Sequence, residues 1–281
     1  MTEANEKVYE NCRRLREFTR DYIHQRKSGK RKSSLQDNAD LLSMFFENPE
    51  VFDEEYMINQ LFDYFIAGVM TTTAAMQTST CHFAKSQKSV DNVRSEFDIV
   101  RNASSAADKP LSEQLKALVN LDTVGDLEYL SWVIKEALRM QPPVPCTTRL
   151  ICSEDVKVGK YNIMKDSQFQ INIQGLHYNS NEWPNPDQFI PERFDANSPH
   201  YLNSEGKKRH NMSYVPFYAG KRVCLGQTLA QVNAKVILTY FTQYFDVVFV
   251  EPEKYDKTFP IAYVMQPTHS PILARVTRRV L

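Results

Sequence analysis

The sequence predicts a mainly α-helical protein carrying small β-sheets. Three observations point there. Apolar residues recur at helical spacing early in the chain, at Val8, Leu15, Phe18, Tyr22 and Ile23. An uncharged run from Tyr64 to Ala84 holds so many Thr, Ser and Gln residues that it reads as a buried helix and not a bilayer span. After Pro145 the helical pattern gives way to short β-prone runs and Pro-rich coil.

The elements follow in order. Val8 to Ile23 is a helix among charges. Nine Lys or Arg residues then crowd the stretch from Arg13 to Lys32 against Glu17 and Asp21. HQRKSGKRKSS reads as a solvated loop between helices; the sharper alternative is a docking patch for an acidic partner or anionic lipid. Asp40 to Phe46 forms a short helix that ends near Asn48-Pro49. Asp53-Glu54-Glu55 opens a long apolar helix, with acids at its positive end. It runs to about Lys85, or about 45 Å at the usual rise. A charged helix spans about Val90 to Arg101, followed by the loop NASSAADKP. Leu111 to Leu121 is another short helix, and Asp126 to Met140 a further one, stopped by Pro142-Pro143. Thr147 to Cys152, Asp155 to Val158 and Phe169 to Ile173 read as strands. Trp183 to Asp195 is coil. A helix from about Leu225 to Tyr244 and strand-like runs at Asp246 to Val250 and Ile272 to Val276 complete the chain. With no internal repeat, the expected organisation is one unit, 1–281. Its helical part is 1–145, and its strands, coil and last helix occupy 146–281.

Composition removes several classes of function. The 281 residues carry 34 Lys plus Arg and 34 Asp plus Glu, so no global positive field exists to attract nucleic acid. Glycine is scarce, at 8 residues, and no GxGxxG or GxxxxGK[ST] occurs. The five cysteines (Cys12, Cys81, Cys146, Cys152, Cys224) are scattered, without CxxC spacing, which fits reduced thiols in or facing the cytosol. The polar start MTEANEKVYENCRRLREF has no apolar core of a signal peptide.

The sharpest chemical signal is Phe217-Tyr-Ala-Gly220-Lys-Arg222-Val-Cys224-Leu-Gly226. It puts a thiol just before a helix, where backbone N–H groups and the helix dipole favour an anionic sulfur. The glycines allow left-handed turns and close approach of a flat ligand. Arg222 offers a fixed cation for a carboxylate. A lone cysteine of this kind is more often a buried structural thiol beside a turn. The set together suits the axial ligand of a haem iron.

This segment resembles the haem-binding loop of the cytochrome P-450 superfamily, FxxGxRxCxG, at every fixed position. Three further motifs occur in the family's order. Glu136-Ala-Leu-Arg139 matches ExxR, Pro191-Glu-Arg193-Phe194 matches PERF, and Ala67-Gly68-Val-Met-Thr71-Thr72 resembles AGx[D/E]TT of the long distal helix. Arg222 is similar to the eukaryotic, membrane-associated branch. The resemblance runs from about Tyr9 to the end. It implies a cytochrome P-450 fold that is N-terminally incomplete, beginning near the end of the family's G helix, with an exposed apolar face left on the distal helix.

The resemblance implies roles as follows. Cys224 ligates the iron of haem b. Phe217, Gly220 and Gly226 also bind the cofactor, Phe217 lying against the haem near the sulfur and excluding water, and Arg149, Arg222 and His177 reach the propionates. Glu136, Arg139 and Arg193 form a structural triad. Ala67, Gly68 and Thr71 form the dioxygen groove, with the Thr71 hydroxyl bonding back to the Ala67 carbonyl. Met70 stands where the family usually has an acid, so proton relay would rest on Thr71 and ordered water. The substrate pocket would include Phe65, Ile66, Met70, Val144, Cys146 and Thr147, with a later hairpin near Ile261 to Val264; core packing explains these positions equally well. The implied activity is insertion of one oxygen atom from O2 into a lipophilic small molecule. Electrons would come from NADPH through an NADPH-cytochrome reductase, with cytochrome b5 as a further partner and no nucleic acid. The full-length protein would face the cytosol at the endoplasmic reticulum membrane, this chain carrying no anchor. Two alternatives stay open: a haem-thiolate isomerase or dehydratase acting on a peroxide, and a non-catalytic truncated fragment.

Overall fold

The computed structural model describes residues 3–33, 40–104, 108–120, 123–252 and 273–279. The chain divides into two compact units, Met1–Met70 and Thr71–Leu281.

The first unit contains α1 (Glu3–Lys27), α2 (Leu41–Glu47) and the beginning of α3 (Glu54–Lys85). Acids in the first turn of α1 and His24, Arg26 and Lys27 in its last turn complement the helix dipole. Asp40 caps α2 by accepting from the Ser43 N–H at 2.9 Å, and its other oxygen takes Arg26 Nη1 at 2.8 Å. Burial pushes the Asp40 carboxyl up, but the bonds from Arg26 and Ser43 outweigh it and hold it below the usual carboxylate range. Asp53 caps α3 through the Tyr56 N–H at 2.7 Å. Ile23, Leu42, Phe45, Met57 and Ile58 make a small core. The predicted solvated loop starts late, because His24 to Lys27 still belong to α1.

The second unit packs α4 (Gln87–Asn102), α6 (Glu128–Met140) and α8 (Gln227–Tyr244) around Phe83 at the end of α3. Val90, Val93, Leu130, Val133, Ile134, Leu138, Ala234 and Leu238 fill the space between them. These positions recur three or four apart, as one buried helix face requires. The Glu96 carboxylate on α4 accepts the Tyr129 and Leu130 N–H groups at 2.5 and 3.1 Å, so it caps α6 in place of a local residue. A satellite core joins Phe97 to Leu115, Leu118 and Val119 around α5 (Leu111–Leu118).

Among the described residues, three two-stranded antiparallel sheets complete the fold. They pair β1 (Leu150–Ile151) with β4 (Gln168–Phe169), β2 (Val156–Val158) with β3 (Tyr161–Ile163), and β5 (Phe245–Phe249) with β6 (Ala274–Arg278). The structure is thus mainly helical with small sheets.

Several boundaries shift, each for a local reason. The predicted strand from Thr147 shrinks to β1, because the Thr147 hydroxyl itself accepts the Ile171 N–H at 2.9 Å. The predicted strand at Phe169 to Ile173 stops early. Asn172 caps a short helix, α7 (Ile173–His177), by accepting the Gly175 N–H at 2.8 Å. β3 was not expected; Gly159, at φ +58°, turns the chain so that Val158 faces Tyr161. Leu121, the hairpin at Ile261 to Val264, and Ile272 lie outside the described residues.

Candidate functional site: a cysteine loop and the ionic knot beside it

The ExxR spacing puts Glu136 and Arg139 one turn apart on α6, and both are fully buried. Arg139 donates to both Glu136 oxygens at 2.8 Å, a two-pronged pair. Arg193 donates Nε to the same carboxylate at 3.2 Å. Pro191 starts the turn that carries Arg193 inward. Two buried guanidiniums thus share one carboxylate, and backbone carbonyls supply the rest. Arg139 reaches the carbonyls of His177 and Gln188 at 3.0 and 3.2 Å. Arg193 reaches those of Pro184 and Asn185, both at 2.6 Å. The Ile190 N–H adds a further bond to Glu136 at 3.0 Å. The predicted triad is therefore assembled, and it pins the coil from Pro184 to Phe194 onto α6.

His177 does something other than the sequence reading expected. It is buried at the end of α7, with Nδ1 on the Arg139 carbonyl at 3.1 Å and Nε2 accepting the Val215 N–H at 2.9 Å. Both ring nitrogens are engaged with backbone, so a propionate role is corrected to a structural one. Burial, reinforced by the Arg139 charge, pulls its pKa down to about 4, and the ring stays neutral at pH 7.

The sequence reading missed Arg209. It sits in a run of basic residues and looks solvated. Instead it lies over the Trp183 ring, 4.2 Å from its centre, and donates to the carbonyls of Glu182 at 2.8 Å, Arg193 at 3.0 Å and His200. Burial, then the Arg193 charge, lowers its pKa to about 10. Trp183 itself is buried and donates Nε1 to the Ser213 carbonyl at 3.1 Å. Tyr214 ties the same coil to α6 through the Lys135 carbonyl at 3.1 Å.

The cysteine loop follows directly. Tyr218 and Gly220 take positive φ values of +64° and +67°, which fold the loop back on itself. The Cys224 N–H then closes it onto the Phe217 carbonyl at 2.8 Å, and the Val223 N–H meets the Gly220 carbonyl at 3.2 Å. Phe217 packs on the main core. Cys224 is exposed, and α8 begins three residues later. A Cβ at Gly226 would lie 4.0 Å from the Cys224 sulfur, so this glycine leaves that side of the thiol open. Tyr218 donates to the Cys146 carbonyl at 3.4 Å, linking the loop to the turn after α6.

Two arginines expected at the cofactor are also placed. Arg222 is exposed on the loop and makes no side-chain hydrogen bond among the described residues. Arg149 is exposed beside β1, with Gln168 at 3.3 Å. The donor set fits a haem: one open soft ligand, an aromatic residue packed behind it, and arginines suited to carboxylates. Among the described residues no three His, Cys, Asp or Glu side chains group as a metal site.

The distal residues lie on α3, a continuous helix through Ala67, Gly68 and Thr71. Ala67 and Gly68 are exposed and Thr71 is half-buried. Tyr64, Phe65, Val69 and Met70 are 40–51% exposed, the open apolar face expected on this helix. Of the other pocket candidates, Ile66, Val144 and Cys146 are half-buried, while Thr147 is buried with its hydroxyl used by Ile171. No helix of the described residues is long and apolar enough to cross a membrane.

Comparison with known proteins agrees with this geometry. The chain matches the cytochrome P-450 family over residues 1–273. It is 30% identical to steroid 17-alpha-hydroxylase/17,20 lyase of Ictalurus punctatus over 194 residues, 68% of this chain and 34% of that protein. It is 30% identical to tabersonine 3-oxygenase of Catharanthus roseus over 186 residues, 66% and 34% of the two chains. It is 28% identical to desmethyl-deoxy-podophyllotoxin synthase of Sinopodophyllum hexandrum over 250 residues, 84% and 45% of the two. The chain thus spans a third to under half the length of these relatives. The open thiol of Cys224, the ionic knot beside it and the family match lead to one conclusion: the chain belongs to the cytochrome P-450 family.

Proposed function

We propose that the chain forms the thiolate side of a haem-thiolate monooxygenase. The observation that carries this reading is the Cys224 loop, closed on the Phe217 carbonyl with its thiol exposed at the start of α8. Cys224 would hold the iron of haem b, Arg149 and Arg222 would hold its propionates, and Phe217 would keep water from the sulfur side. When bound, haem supplies dioxygen activation and transfer of one oxygen atom to the substrate. The overall balance is one substrate C–H bond, O2, two electrons and two protons giving an alcohol and water.

The chain's own residues do the rest. Glu136, Arg139 and Arg193 fix the coil that leads into the loop. Thr71 would hold a proton-relaying water, and Met70 supplies no acid beside it. Phe65, Ile66, Met70, Val144 and Cys146 would offer an apolar surface to a lipophilic substrate. The names of the relatives, a steroid hydroxylase among them, support that class. Electrons would come from NADPH by way of a reductase, with cytochrome b5 as a second donor. The whole protein would work as one domain at the endoplasmic reticulum membrane, facing the cytosol.

The test is turnover under isotopically labelled dioxygen, with reductase and NADPH and a panel of lipophilic substrates. A product carrying one labelled oxygen, absent in Cys224→Ser, is the expected result. Product that forms without reductase, or that carries no label, contradicts it.

A further inference from the structure

A second site lies away from the cysteine loop. A cavity of about 310 Å³ opens between α4, α5, the end of α8 and the residue after β6. Arg94, Asp98, Arg101, Leu111, Gln114, Gln243 and Arg279 line it. The three arginines come from two separate parts of the chain. Arg94 and Arg101 are two turns apart on one face of α4, and Arg279 follows β6.

Two carboxylates balance part of this charge. Asp246 meets Arg94 Nη2 at 2.6 Å, and Asp98 meets Arg101 Nη2 at 3.1 Å. Arg279 has no carboxylate among the described residues; its Nη1 donates to the Gln243 carbonyl at 3.0 Å. Among the described residues one positive charge is left over. N–H donors are left over among them too: Arg94 uses Nε and Nη2 on the Thr242 and Phe245 carbonyls and Asp246, leaving Nη1. Arg279 uses only Nη1 among the described residues.

Gln243 supplies an independent sign. It is 5% exposed, and its side-chain amide nitrogen is buried with no hydrogen-bond partner among the described residues. Buried amides are nearly always paired, so an orphan donor on a cavity wall marks a place for an acceptor. Guanidiniums converging from different elements suit a tetrahedral oxyanion with several acceptor oxygens better than one flat carboxylate. Leu111 gives the remaining space an apolar wall.

We propose that this cavity binds a phosphate-type oxyanion through Arg94, Arg101, Arg279 and the Gln243 amide. Such a ligand supplies the missing negative charge and ties the end of α8 to α4 and to the segment after β6. A free phosphate and a lipid phosphate headgroup share this chemistry.

The probe is inorganic phosphate, titrated into the full chain while thermal unfolding is followed at constant ionic strength with chloride. The expected result is a saturable rise in the unfolding midpoint, with apparent affinity about tenfold weaker in Arg279→Ala and in Arg101→Gln. Arg275→Ala, on the exposed strand β6, leaves the affinity unchanged. A rise that does not saturate, or that is equal in Arg279→Ala, overturns the proposal. Wild-type protein gives a readout that needs no variant: phosphate, and not chloride, shields Arg279 from an arginine-selective dicarbonyl reagent, read by mass spectrometry. Labelling of Arg279 that phosphate leaves unchanged also overturns it. Vesicles of phosphatidylcholine with phosphatidic acid separate the sources. Arg279-dependent binding to them assigns the lipid headgroup, and response to free phosphate alone assigns the soluble ligand.

Discussion

The ionic knot on α6 and the cysteine loop obey opposite rules. The knot is complete by itself: each guanidinium nitrogen of Arg139 and Arg193 ends on a carboxylate or carbonyl of this chain, and all three members are buried. The loop is closed in backbone but open in side chain, with Cys224 and Arg222 left to solvent. One region holds the fold, and the other leaves a thiol and a guanidinium open to solvent. A buried ion cluster is a poor source of net stability but a strict one, because removing one partner leaves charges that nothing else in the interior satisfies. An exposed thiol can be changed with little effect on folding.

Breaking the knot should give the largest effect. Glu136→Gln keeps the shape, removes the charge and leaves two guanidiniums buried. We expect a loss of about 3–5 kcal/mol in urea denaturation. A loss under about 1 kcal/mol would mean that the carbonyls alone hold Arg139 and Arg193.

Acid attacks the same region through His177. Its pKa is pulled down to about 4 in the folded chain, against an ordinary value of about 6.5 when unfolded. The unfolded chain therefore takes up the proton first as pH falls. Stability is full above pH about 6.5 and declines by about 3 kcal/mol on the way to pH 4. His82, stacked on Phe189 and lowered to about 3 mainly by burial, adds in the same direction. Denaturation curves at several pH values check this, and His177→Gln should flatten the slope.

A smaller break sharpens what the carbonyls contribute. Arg193→Lys keeps a charge but cannot span Glu136, Pro184 and Asn185 at once, so a cost of about 2 kcal/mol is expected by urea denaturation. The smallest effect belongs to the loop. Cys224→Ser should shift stability by less than about 0.5 kcal/mol while removing thiolate ligation of added haem.

Much of this contrast was legible in the sequence, and for identifiable reasons. α3 and α6 announce themselves by apolar spacing and by acids at their starts. The Cys224 loop is legible because its glycines, arginine and cysteine keep fixed intervals. Glu136, Arg139 and Arg193 are legible only as a set, since an Arg three residues from a Glu is common on exposed helices. The missed features are those decided by distant partners. Arg209 is half-buried because Trp183 and the Glu182 carbonyl receive it, and nothing within its own basic run signals that. The role of His177 depends on Arg139 and Val215, each 38 residues away. β3 and α7 are three and five residues long, so one turn residue each, Gly159 and Asn172, settles them. Periodicity cannot register over so few positions.

The most direct test of the central claim is a reduced-plus-CO difference spectrum of the purified chain after reconstitution with haem. The expected result is the strongly red-shifted Soret band of thiolate-ligated haem in the wild type, retained in Lys207→Ala and lost in Cys224→Ser. Absence of that band in folded wild-type chain, or its survival in Cys224→Ser, would contradict the assignment of Cys224 as the iron ligand.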